Sequence, residues 1–141
     1  MVKEYKFIID GKVPSLNEYI NKMNAHRLTA NTFKHNIEQD IKFQLYKQVR
    51  EQGIQGDFPL KNTADFEFTY IETKRNRDKD NIASSKKFIM DALVGVGIIK
   101  NDGWRWVGSF KEDFIIGSRN QVIMKIKVEV GNHEEKEKED E

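Results

Sequence analysis

Near its end the chain runs Val122, Met124, Ile126, Val128, Val130, with Ile123, Lys125, Lys127 and Glu129 between them. Strict alternation sends every second side chain to one face of a strand. Such a strand has one apolar face to bury, so the fold needs a sheet with a second layer laid against it. Tyr5, Phe7 and Ile9 repeat the pattern and end at the turn Asp10–Gly11; Phe66, Phe68 and Tyr70 repeat it within 65–73. Residues 104–116 read as a less regular strand, joined to the last one by the turn "GSRN" at 117–120.

The second layer comes from segments of helical period. Pro14 and Ser15 open a short helix near Leu16. From Asn31 onward, Phe33, Ile37, Ile41, Leu45 and Val49 mark one face of a long helix, with Gly53 as its stop. Ile82, Ile89, Leu93 and Val96 mark another, ended by Gly95 and Gly97. Strands and helices mix without strict β-α-β order or internal repeat. The expectation is an α+β fold of two layers, a mostly antiparallel or mixed sheet covered by helices.

At 141 residues the chain is one domain by size, large enough for a hydrophobic core. It holds no cysteine, which removes disulfides, thiolate metal sites and thiol nucleophiles. No apolar run reaches a membrane span, the start MVKEYKF lacks a signal-peptide core, and a cytoplasmic protein is the simplest expectation. The net charge of +1 averages two regions. Residues 132–141, "NHEEKEKEDE", carry six acids and two lysines; removing their −4 from +1 leaves +5 for residues 1–131. The tail has no apolar side chain and is expected to be disordered. A basic body is compatible with a polyanionic partner.

One stretch asks for more than solubility: "KRNRDKDN", Lys74 to Asn81. In an extended segment Asp78 and Asp80 project to the same side and can share a cation. Hard oxygen donors without histidine or cysteine nearby point to Mg²⁺ or Mn²⁺ rather than zinc. The same residues can also be read as a helix cap beside an Asp78 pair with Arg75 or Arg77. On a helix over 80–94, Ser84, Lys87 and Asp91 line up with Asp80, and the Lys87 side chain leans back toward the carboxylates. Lys86 falls beside the apolar stripe, its stem covering it while the head seeks water. "NDG" at 101–103 is by itself a good turn. The histidines at 26, 35 and 133 have no ligand or triad spacing.

"RDKDN" followed by "KKFIMDALVGVGIIKND" resembles the RusA family, the Holliday-junction endodeoxyribonucleases of bacteria and their phages. "VPSLNEY" at 13–19 looks like that family's N-terminal P-S-x-N element, and the likeness spans about residues 5–130. The resemblance implies metal-binding acids at Asp78, Asp80 and Asp102 and a catalytic lysine at Lys87. It implies Mg²⁺, with Mn²⁺ an alternative, a four-way DNA junction as substrate, and a two-fold homodimer. Lys74, Arg75, Arg77 and Lys86 are then expected to face DNA. Two departures stand out: "IASSKKFIM" lengthens the helix between Asp80 and Asp91, and Asn101 stands where a second acid often precedes the last aspartate. The rival class is a non-catalytic DNA-binding module, which would need the basic loop but not the three aspartates together.

Overall fold

The structure, a computed structural model, describes residues 1–131; the acidic tail lies outside the described residues. Strand β1 (Val2–Asp10) leads to helices α1 (Leu16–Ala25) and α2 (Arg27–Gln52). Then come β2 (Ala64–Glu72), the short α3 (Lys79–Ala83), α4 (Lys86–Gly95), β3 (Val107–Ile116) and β4 (Gln121–Glu129). The strands form one mixed sheet in the order β1-β4-β2-β3, antiparallel except for the β2–β3 pair. This is an α+β fold in which a single layer of helices covers one face of the sheet. No helix among the described residues is long and apolar enough to cross a membrane.

The buried face is built in rows that follow the alternation. Register sets Tyr5, Ile126, Phe66 and Phe110 side by side; the next row is Phe7, Met124, Phe68 and Glu112. Onto these rows pack Ile41, Leu45 and Val49 of α2 and Phe88, Ile89 and Leu93 of α4, all buried. The helices begin and end where local chemistry permits. Ser15 Oγ accepts the Glu18 N–H (3.2 Å) and Glu18 accepts the Ser15 N–H (3.5 Å), a reciprocal cap. His26 Nδ1 caps α2 by accepting the Thr29 N–H at 3.2 Å, so that helix starts four residues before Asn31. Gly53 ends it with φ +67°, a left-handed conformation that glycine adopts without strain.

Two expectations change. The helix read over 80–94 breaks at Ser84–Ser85, whose hydroxyls donate back to the Asn81 and Ile82 carbonyls (2.6 and 2.7 Å). Bonds of the i→i+3 kind, Ser85 N–H to Ile82 O and Phe88 N–H to Ser85 O, tighten the winding there. The uniform 100° step assumed between Asp80 and Lys87 is therefore not kept. The segment 117–120 is not a hairpin turn either. It bridges the end of β2, with the Gly117 N–H on Glu72 O and the Thr73 N–H on Asn120 Oδ1, both 2.9 Å. β4 is thereby delivered to the far side of β2.

Candidate functional site

The stretch 73–80 leaves the sheet at the end of β2, and its charges sort into two groups. Glu72 falls on the buried face because it continues the alternation Phe66, Phe68, Tyr70. A buried carboxylate needs a partner. Arg77 supplies it through two bonds, Nε to Oε1 at 2.9 Å and Nη2 to Oε2 at 3.0 Å. Its Nη1 also donates to the Val13 carbonyl (3.1 Å), and the side chain is only 8% exposed. Arg77 is thus turned inward as a strut, and the expectation that it faces DNA is corrected.

Lys74 and Arg75 stay exposed, and no ion pair engages them among the described residues. Lys79 lies with its Nζ 5.9 Å from the Phe114 ring centre. Asp78 sits at the N-cap position of α3, yet its side chain makes no capping bond. Asp80 Oδ1 accepts only the neighbouring Asn81 N–H, at 2.9 Å. Neither carboxylate pairs with a cation among the described residues, although basic side chains surround both in sequence. Asp78, Lys74 and Arg75 line a cleft of about 670 Å³ together with Phe114 and Ile116 of β3.

On α4 the two lysines part. Lys87 Nζ stands 3.1 Å from Asp91 Oδ1 and 3.5 Å from Asp102 Oδ2, half exposed. The Asp91 hydrogen bond, with the charge of Asp102 adding to it, holds the Lys87 ammonium above its ordinary pKa. Lys86 turns the other way, to Glu112 at 2.8 Å, with its Nζ 4.3 Å from the Phe110 ring centre. Glu112 occupies a buried-face position on β3, so Lys86 is engaged by that carboxylate rather than left unpaired, and stays partly exposed. Beneath the pair, burial and the neighbouring Glu112 charge push the Tyr70 hydroxyl far above its usual pKa. A second groove, lined by Ser84, Lys86, Lys87, Asp102 and Phe110, runs along this side of α4.

The N-terminal element "VPSLNEY" reaches the same region. The Leu16 N–H donates to Ser84 Oγ (3.1 Å), and Asn17 Nδ2 donates to Asn81 Oδ1 (3.1 Å). The Leu16 backbone and the Asn17 side chain therefore fix the start of α1 against the break between α3 and α4. Asp102 is drawn to Lys87 rather than to Asp78 and Asp80. Among the described residues no three acids or histidines are gathered in a metal-holding group. The donors fit a hard divalent cation in kind, since all are carboxylates and two have no cationic partner among the described residues.

Sequence reading missed Glu72, Glu112 and Tyr70. Glu72 was legible by counting alternation one step beyond Tyr70, whereas Glu112 lies in a strand too irregular to count along. Compared with known protein families and with curated proteins, the chain matches none of them.

Proposed function

We propose that this chain is a metal-dependent endodeoxyribonuclease that cuts four-way DNA junctions, the activity implied by its resemblance to the RusA family. The observation that carries the reading is the isolation of Asp78 and Asp80. Both carboxylates are exposed and, among the described residues, without cationic partners, in a stretch that offers Lys74, Arg75 and Lys79. A segment needing only a capped helix and a surface ion pair would have used them.

Asp78 and Asp80 would hold Mg²⁺ or Mn²⁺, with Asp102 as the third carboxylate that the resemblance implies. When bound, the cation supplies a Lewis acid and a water of lowered pKa for phosphodiester hydrolysis. Lys74 and Arg75 hold backbone phosphates on either side of the cut and offset the carboxylate charge. Lys87, kept protonated by Asp91, offers its ammonium to the charge that builds on the scissile phosphate. The separation of Asp102 from the other two acids favours a second reading, a module that binds junctions without cutting them.

A synthetic four-way junction incubated with the protein, in Mg²⁺ and in EDTA, separates the two. The expected result is paired nicks in Mg²⁺, none in EDTA, and none with Asp80→Asn, which still binds the junction. Binding without cleavage by the native chain supports the second reading. Cleavage by Asp80→Asn at the native rate rules out the assigned site.

A further inference from the structure

Trp104 is 98% exposed, while Trp106, two residues on, is buried. The turn that carries them is tied on every side. The Gly103 N–H donates to Asn101 Oδ1 (2.9 Å), and the Trp106 and Val107 N–H groups both donate to the Gly103 carbonyl (3.0 Å each). Thr63 Oγ1 donates to the Arg105 carbonyl (2.6 Å), and the Ala64 N–H to the Trp106 carbonyl (3.0 Å), which fastens the turn to the start of β2. Trp106 is flanked by cations, the Arg105 guanidinium 4.2 Å and the Lys100 ammonium 4.9 Å from its ring centre. Its neighbour is projected into water from this anchored base.

We infer that Trp104 is a stacking platform for an unstacked nucleobase of branched DNA. The inference rests on the junction-cutting reading and assigns a residue which that reading leaves unused. Trp104 lies two residues beyond Asp102, so their Cα atoms are at most about 7 Å apart, about one nucleotide step from the acid that Lys87 holds. Residues 100–105 otherwise contain only Lys100, Asn101, Asp102, Gly103 and Arg105. A lone exposed indole whose sequence neighbours are polar or charged is poorly suited to a protein partner, which would need contiguous apolar surface. It suits a base, which brings a flat π face together with phosphates for the cations. In continuous duplex each base is already stacked on both sides; at a branch point the stack is interrupted. The platform therefore favours branched DNA over linear duplex, without reading sequence.

The test follows tryptophan fluorescence of the full chain in EDTA, titrated with a synthetic four-way junction or with linear duplex of the same sequence. Native protein is expected to be quenched by the junction and little by the duplex. Trp104→Ala should lose the quench and bind the junction about five- to a hundredfold more weakly. Its duplex affinity and melting temperature should not change, and Trp104→Phe should retain part of the junction preference. If Trp104→Ala binds junctions as tightly as native protein, the stacking role is refuted while the DNA reading stands. Native protein that binds no DNA overturns the DNA reading and takes this inference with it. Conversion of a native dimer to a monomer by Trp104→Ala would assign the indole to a second copy of the chain and refute the inference.

Discussion

Glu72 and Glu112 both stand where alternation asks for an apolar side chain, and each fixes the fate of one cation: Arg77 for Glu72, Lys86 for Glu112. From the sequence, "KRNR" and "KK" offer cations that look interchangeable. Which one turns inward is decided by a carboxylate on another element, at a depth that local spacing does not reveal. Lys87 was legible, because an i,i+4 pair with Asp91 follows from helix geometry alone, whereas its approach to Asp102 needs the whole crossover from α4 to β3. The two lysines should therefore fail differently. Lys86→Ala strands the Glu112 carboxylate in a mostly apolar layer and should cost about 1–3 kcal/mol, read as a melting point lower by several degrees. Lys87→Ala removes a half-exposed side chain and should barely move the melting point while abolishing junction cleavage. Because the Lys87 pKa is raised, its ion pairs are complete at neutral pH and are lost only as pH climbs through that raised value. Its loss by mutation should thus be as severe at pH 6 as at pH 8. Thermal melts and single-turnover cleavage of both variants check this, and a larger catalytic loss for Lys86→Ala would sink the assignment.

At the scale of elements, period and caps made most strands and helices legible; their arrangement was not. The alternation from Phe66 to Tyr70 says that a strand exists, but not that β4 lies on one side of it and β3 on the other. That order depends on Asn120 and Gly117 bridging the end of β2, and these contacts are invisible in a four-residue turn signature. The edge of β1 was missed for a similar reason. Gln44, Gln48 and Gln52 repeat every four residues along α2, a spacing that reads as an ordinary polar face. Instead they serve the backbone of β1: Gln48 accepts the Ile8 N–H (2.8 Å) and donates to its carbonyl (2.7 Å), and Gln44 does the same for Asp10 (2.7 and 3.2 Å). Gln52 donates to the Lys6 carbonyl at 3.0 Å. An edge strand left bare is a template for pairing with other chains, and side-chain amides close this one. Gln44→Ala combined with Gln48→Ala should cost about 1–2 kcal/mol, since water replaces part of what is lost at an exposed edge. It should also raise light scattering on mild heating. Unchanged denaturant midpoints and unchanged scattering would mean the ladder contributes nothing.

For the whole molecule the two edges of the sheet are unequal. β1 is closed by glutamines, while β3 lies at the other edge, with no further strand beyond it among the described residues. Resolving a four-way junction takes two cuts related by a two-fold axis, so the proposed function calls for two copies held symmetrically. An antiparallel β3–β3 pairing centred on Glu112 would meet that demand, with the two Glu112 carboxylates that face each other at its centre each neutralised by its own Lys86. It sets Lys111 opposite Asp113 of the second copy, on the face away from the helices, and Phe110 opposite its Phe114 on the helix-covered face. Both charged side chains are exposed and Phe110 is 43% exposed, so such a contact would cover apolar surface and pair opposite charges. The expected state at micromolar concentration is a dimer of twice the chain mass by sedimentation. Asp113→Lys places like charges across the axis and should shift the protein toward monomer, leaving junctions with single nicks in place of paired cuts. Adding Lys111→Asp to that variant reverses both charges and should restore the dimer and paired cutting together. A native chain that sediments as a monomer throughout the active range removes the two-fold machine. A dimer indifferent to Asp113→Lys places the axis elsewhere on the fold.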